Sequence, residues 1–266
     1  MTRVSLFGLA LLLIIWTGVT MAANIQTENV RYQAGGTEMH GYIAWDESDE
    51  GSRPGVLVVH EWWGHNEHAR ASARKLAEMG YTALAVDMYG EGRTADHPRD
   101  AGAMAGQVRE NPEIAAQRFA AAEAVLRAHP TVADDRLAAI GYCFGGAVVL
   151  QMARGGADLR GVASIHGALA TSTPAKAGEV NAEVLVLHGN ADPLVPPDQV
   201  QAFRKEMDDA GVRYRFVGFD GATHAFTNPD ADRAAREFDM PVGYDADATA
   251  ASWRELEQFL ARVTAD

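Results

Sequence analysis

The stretch Leu137–Gly146 constrains this chain more than any other. An apolar run, Leu137-Ala138-Ala139-Ile140, breaks into Gly141-Tyr142-Cys143-Phe144-Gly145-Gly146 and resumes as Ala147-Val148-Val149-Leu150. The pattern predicts a buried strand, a turn crowded with glycine and the start of a helix. Only hydrogen-sized side chains leave room where a strand and a helix meet so sharply. Cys143 has glycine two positions to either side. Such a turn lifts one side chain above the sheet edge, at a helix N-terminus that favours negative charge. The competing reading is a structural cysteine buried behind the turn, a common fate for this residue. A base and an orienting acid at matching places decide between the two.

Around this turn the chain reads as alternating strands and helices. Asn29 to Trp45 alternates polar and apolar residues about Gly35-Gly36, as an antiparallel hairpin does. Gly55–Val59 and Thr82–Val86 are continuous apolar runs of the kind found in central parallel strands. Gly161–Ile165, Glu183–Leu187 and Arg213–Phe219 are three further strands. Helices are expected over Asn66–Met79, Glu113–His129, Asp198–Ala210 and Ala246–Val263, with Met88–Asn111 loop-like and then weakly helical. The fold class is therefore α/β, a mainly parallel central sheet with helices on both faces.

In such sheets, reactive side chains sit on loops at the carboxyl ends of strands. Glu183–Leu187 runs out into a loop carrying Asp192, and Arg213–Phe219 into one carrying His224. Nucleophile, acid and histidine then follow in the chain order of the α/β-hydrolase fold. An imidazole takes the thiol proton, and a carboxylate fixes its tautomer and supports the imidazolium. Alone, Asp192 before Pro193 reads as a turn residue and His224 as a solvated one; their joint placement favours the triad. His60, His166 and His188 compete as the base, with His166, itself at a strand end, the serious rival. The loop after Val56–Val59 carries His60-Glu61-Trp62-Trp63. Its Trp62 amide and that of Phe144 are the expected oxyanion donors. Glu61, beside an apolar wall, would compete for the thiol proton; a surface glutamate at a strand end is the plainer alternative.

Composition excludes little beyond one class. A net charge of -13 over 266 residues leaves no basic patch for nucleic acid. The single cysteine and scattered histidines show no metal-ligand spacing, and no cofactor motif stands out. Arg3 precedes an uncharged apolar run from Val4 to Val19 and the small-residue stretch Thr20-Met21-Ala22-Ala23. That is the layout of a secretory signal, residues 1–23, cut after Ala22 or Ala23; an uncleaved anchor is the alternative. Residues 24–266 are expected as one domain, periplasmic or secreted, monomeric and free of the membrane after cleavage. An unpaired thiol in an oxidising compartment is a liability unless buried or used.

Gly141-Tyr142-Cys143-Phe144-Gly145-Gly146, the Glu61 loop, the Asp192 loop and Gly221-Ala222-Thr223-His224-Ala225-Phe226 together resemble the dienelactone hydrolase family over nearly the whole mature chain. The resemblance implies hydrolysis of an ester or lactone, typified by opening of carboxymethylenebutenolide, through an acyl-thioester at Cys143. His224 would be the base and Asp192 its orienting acid. Glu61 would hold the resting thiol neutral and swing away when substrate binds. Two places depart from the family. The arginine expected four positions beyond the histidine is Asn228, and a second substrate-binding arginine has only a loose counterpart in Arg99. Three functions are carried forward: a cysteine hydrolase of the family's type, a general envelope carboxylesterase or thioesterase, and a binding protein that keeps the fold without turnover.

Overall fold

The computed structural model describes residues 23–265, so the expected signal lies, but for its last residue, outside the described residues. A single eight-stranded sheet organises these residues. In chain order the elements are β1 (Ile25–Ala34), β2 (Thr37–Asp46), β3 (Arg53–Val59), α1 (Glu67–Glu78), β4 (Thr82–Val86), α2 (Pro98–Arg109), α3 (Pro112–Arg127), β5 (Val132–Tyr142), α4 (Phe144–Arg154), β6 (Gly161–Ile165), β7 (Glu183–Gly189), α5 (Pro197–Asp209), β8 (Tyr214–Phe219), α6 (Ala231–Phe238) and α7 (Ala246–Val263). The sheet runs β1-β2-β4-β3-β5-β6-β7-β8. β1, β2 and β4 pair antiparallel and every later pair is parallel.

The hairpin turns on Gly35 and Gly36, both at positive φ (56° and 82°), the conformation a two-residue reverse turn demands. The inner strands β4 and β6 are buried at every residue, which is why they read as unbroken apolar runs. Two apolar layers follow. Ala69, Ala73 and Leu76 of α1 pack with Leu256, Phe259 and Leu260 of α7 on one face. Phe119 and Leu126 of α3, Val149 of α4 and Phe203 and Met207 of α5 cover the other.

Three elements differ from the sequence reading. β5 begins at Val132 rather than Leu137, because its register against β3 slips between Pro54 and Gly55 and interrupts the pattern. The stretch expected to be weakly helical forms α2, which turns Ala101, Ala105 and Val108 to the core and starts at Pro98 under a His97 cap. α6 was not expected. Its eight residues carry four charges and bury only Ala231 and Ala234, too few for a periodic signal. Among the described residues no helix is long and apolar enough to cross a membrane.

α4, the helix behind the glycine turn, is pinned at its far end. Arg154, with 4% of its side chain exposed, donates from Nε and Nη2 to the two carboxylate oxygens of Glu206 (2.7 and 2.9 Å) and from Nη2 to the Leu169 carbonyl (2.9 Å). A buried pair contributes little net stability, but removing one partner strands the other charge. Arg154→Ala is therefore expected to lower the unfolding free energy by about 3 kcal/mol, read from the urea midpoint.

Candidate active site

The glycine turn forms as the sequence predicts. Cys143 sits between β5 and α4 at φ 52°, ψ −111°, a strained backbone for any residue but glycine. Its amide donates to the Ile165 carbonyl (3.0 Å), and the Gly145 amide to the His60 carbonyl (3.1 Å). The small residues are obligatory. A Cβ on Gly141 would stand 2.1 Å from the Gly145 carbonyl oxygen, and one on Gly145 2.3 Å from that of Val59. One on Gly146 would come within 2.8 Å of the Gly167 Cα. The thiol is half-buried and unpaired, and lines a cleft of about 500 Å³.

His224 and Asp192 reach the same cleft edge from the loops after β8 and β7. His224 Nδ1 donates to Asp192 Oδ2 at 2.7 Å, with the carboxylate side chain fully buried. The other oxygen, Oδ1, accepts from the Leu194 amide at 2.8 Å, so the acid cannot swivel. With Nδ1 committed, Nε2 is left for Cys143, which interacts with the ring by charge and hydrogen bond. Burial disfavours a charged ring here. The charge at the Cys143 sulfur and the Asp192 hydrogen bond outweigh it, and His224 is held well above the usual histidine range.

The rival histidines are neutral. Burial pushes His60 down to about 4; its Nδ1 donates to the Glu61 carbonyl (2.5 Å) while Nε2 accepts from the Met88 amide (3.2 Å). His166, wholly buried at φ 41°, shares a 2.8 Å hydrogen bond with Thr227 Oγ1, and its ring meets that of His224 edge-on at 5.5 Å. Burial, then the neighbouring His224, lowers it well below the ordinary value. His188 is lowered too, by burial first.

Trp62 and Phe144 both line the cleft. Phe144 opens α4, so its amide has no intrahelical carbonyl to reach. Trp62 is held by Tyr89, whose hydroxyl donates to the Trp62 carbonyl (2.9 Å) and whose ring packs on His60 and Phe144. Sequence reasoning missed Tyr89, although it lies just beyond the carboxyl end of β4, where the strand-end rule would have pointed.

Glu61 is buried beside the cleft, 2% exposed, but its carboxylate engages a partner other than the one expected. Oε2 accepts from Asn228 Nδ2 at 2.5 Å. Asn228, noted in the sequence only for an arginine it replaces, is thus part of the site. Arg99 is not: it lies on the exposed first turn of α2, paired with Asp100, and is absent from the cleft wall. Arg109 and Arg233 are the guanidinium groups on that wall. Among the described residues no cluster of three or more His, Cys, Asp or Glu is placed to hold a metal.

A glycine-framed turn at a strand end, with an acid and a histidine on the next two strand-end loops of a mainly parallel sheet, defines an α/β-hydrolase. Residues 39–264 match the model of the dienelactone hydrolase family, and the chain belongs to that family. A dienelactone hydrolase-like promiscuous phosphotriesterase from metagenomic libraries superposes with a TM-score of 0.84 at 34% identity, over 91% of this chain and 99% of that one. A protein of Aquifex aeolicus named as a carboxymethylenebutenolidase is 27% identical over 226 residues, 81% of this chain and 96% of its own. One of the same name from Salmonella typhimurium is 27% identical over 238 residues, 85% of this chain and 84% of its own. The protein is a dienelactone hydrolase-like hydrolase acting on a small molecule.

The buried histidines set the pH dependence of stability. The unfolded chain protonates His60, His65 and His166 near 6.5, whereas burial pushes the folded values of His60 and His65 to about 4 and of His166 well down. The unfolded state then binds more protons, so unfolding free energy is expected to fall as pH drops from about 6.5 towards 4. His224 has the opposite sign: its contribution is complete below 6.5 and is lost as pH rises through its raised folded value. Urea titrations at successive pH values check both limbs.

Proposed function

We propose that this chain is an exported hydrolase of small, uncharged carboxylic esters or lactones with Cys143 as its nucleophile. The observation that carries the reading is the Asp192–His224–Cys143 chain at the floor of a mostly apolar cleft. His224 Nε2 holds the thiol proton, and the sulfur attacks the substrate carbonyl carbon. A C–S bond forms while the carbonyl oxygen takes the electron pair, facing the amides of Phe144 and Trp62. Collapse breaks the C–O bond. The leaving alkoxide takes the proton from His224, departing as an alcohol or, from a lactone, staying tethered to the acyl group. Water then loses a proton to His224, adds to the thioester, and expels the sulfur.

The substrate class follows from the cleft wall. Trp62, Trp63, Phe144, Val195, Met240 and Val242 give it an apolar lining. Its carboxylates, Glu61, Glu67, Asp96 and Asp230, outnumber the guanidinium groups of Arg109 and Arg233, and Arg233 is engaged by Glu237 at 2.8 Å. The position that the family resemblance assigns to an anion-gripping arginine holds Asn228, bound to Glu61. These features disfavour a carboxylate-bearing lactone. A neutral phosphotriester joins the candidates because one similar protein is a promiscuous phosphotriesterase. Export rests on the charged start, apolar run and Ala22-Ala23 end of the first 23 residues.

The test is a panel of a neutral p-nitrophenyl ester, a neutral lactone, a carboxylate-bearing lactone and a neutral phosphotriester. Neutral esters or lactones are expected to give the highest kcat/KM, and stoichiometric alkylation with iodoacetamide to abolish turnover. Cys143→Ala is expected to lose at least about 1,000-fold in kcat/KM and Asp192→Asn about 100-fold or more. Turnover that survives complete alkylation overturns the nucleophile, a strong preference for the charged lactone overturns the substrate class, and ligand binding without turnover favours a non-catalytic binder.

A further inference from the structure

Trp62 and Trp63 are the central residues of a tight turn, closed by the Gly64 amide on the Glu61 carbonyl (3.1 Å). The Trp62 N–H belongs to the Glu61–Trp62 peptide and points opposite to the Glu61 carbonyl, as in any trans peptide. That carbonyl accepts a second hydrogen bond, from His60 Nδ1 at 2.5 Å. The next carbonyl, that of Trp62, accepts from the Tyr89 hydroxyl at 2.9 Å, and that of Trp63 from the Ala95 amide at 2.9 Å. Three successive carbonyls are thus held. Among the described residues the Trp62 amide itself has no acceptor.

The two side chains that hold the first two of these carbonyls are themselves fixed. The Met88 amide donates to His60 Nε2 (3.2 Å), so Nε2 is unprotonated and Nδ1 carries the ring proton. Both partners call for the same neutral tautomer, and burial, which pushes the ring down to about 4, preserves it. Tyr89 is 1% exposed. Its amide and that of Gly90 donate to Asp87 Oδ1 (2.9 and 2.8 Å), and its ring packs on those of His60 and Phe144. With the peptide planes before and after Trp62 both held, the backbone at Trp62 cannot rock and its N–H keeps one direction.

We propose that His60 and Tyr89 are positioning residues that aim the Trp62 amide at the oxygen of the tetrahedral intermediate. Neither lines the cleft; each acts through a carbonyl of the turn. This role rests on the reading of Cys143 as nucleophile with the Trp62 and Phe144 amides as oxyanion donors. Donors in place before charge develops cost no reorganisation, and hydrogen bonds to a peptide carbonyl polarise its N–H. His60, a rival for the proton transfer by sequence, then serves the oxygen side of the reaction rather than the sulfur side.

Tyr89→Phe removes one hydroxyl and keeps the ring on His60 and Phe144. On a neutral p-nitrophenyl ester it is expected to lower kcat about tenfold with KM within about twofold, the mark of an interaction made in the transition state. Affinity for a neutral alkyl trifluoromethyl ketone, whose carbonyl carbon adds the sulfur while its oxygen becomes an oxyanion, is expected to fall about tenfold as well. Alkylation of Cys143, the only cysteine, by iodoacetamide displaces iodide and builds no oxyanion, so its rate is expected to stay within about twofold. His60→Leu is expected to lower kcat about 100-fold. His60→Asn places a carboxamide N–H where Nδ1 stands and is expected to recover at least about tenfold of that loss. Both leave the Met88 amide without its acceptor, so a role in stability alone predicts equal losses.

A Tyr89→Phe protein whose kcat and ketone affinity match those of the unsubstituted chain overturns the proposal. So does an alkylation rate that falls in step with kcat, because the defect then lies at the thiol. A His60→Asn protein that is folded by circular dichroism and no more active than His60→Leu overturns it too. If neither His60 variant folds, Tyr89→Phe decides alone. The nucleophile reading fails separately, on the unsubstituted protein, by turnover that survives complete alkylation.

Discussion

One close approach of two backbones governs the rest. The Gly145 amide meets the His60 carbonyl, and neither Gly145 nor Gly141 has space for a methyl group. This contact joins the turn bearing the sulfur to the loop bearing Glu61 and Trp62. Because interiors are close-packed and yield little, it fixes the spacing of the Cys143 thiol, the Trp62 and Phe144 amides and the Glu61 carboxylate together. A strained Cys143 backbone is the cost, roughly 1–3 kcal/mol at such conformations, and it is over-determined by Ile165 on one side and α4 on the other.

Within this frame one residue type is set to opposite states. His60, His166 and His224 lie within a few residues of the carboxyl ends of β3, β6 and β8, and all three are buried. His60 has a carbonyl on one nitrogen and an amide N–H on the other, so a neutral ring satisfies both. His166 faces a hydroxyl and the edge of another imidazole, and nothing there rewards a charge. His224 alone has a carboxylate on one nitrogen and a sulfur on the other. Desolvation acts alike on all three; partners of opposite charge reverse it only at His224.

That difference explains what the sequence could show. The glycine frame of Cys143, the apolar strands and the strand-end positions of Asp192 and His224 are local patterns, and local patterns survive in a string of letters. The competition among histidines was not decidable there, because partners such as Met88 and Thr227 come from 28 and 61 residues away. α6 was invisible for a related reason: a short charged helix buries only Ala231 and Ala234, sets Phe238 against Trp63 and His97 at its last residue, and leaves little periodicity. Arg99 was paired with the wrong surroundings, since a helix whose apolar stripe is alanine gives no hint of which turn faces the cleft, and it is Arg109, at the other end of α2, that does.

Asn228, where the family resemblance expects an arginine, changes what the wall beside Glu61 can recognise. A carboxamide of fixed orientation offers two N–H donors, one of them given to Glu61, and has no charge to set against a ligand carboxylate. Across the cleft the Asp192–His224 pair is buried and doubly tethered, so the polar groups on both sides are fixed in place. The rest of the wall is Trp62, Trp63, Val195, Met240 and Val242, and its carboxylates outnumber its guanidinium groups. A wall so built sorts ligands by shape and apolar surface rather than by a fixed positive charge.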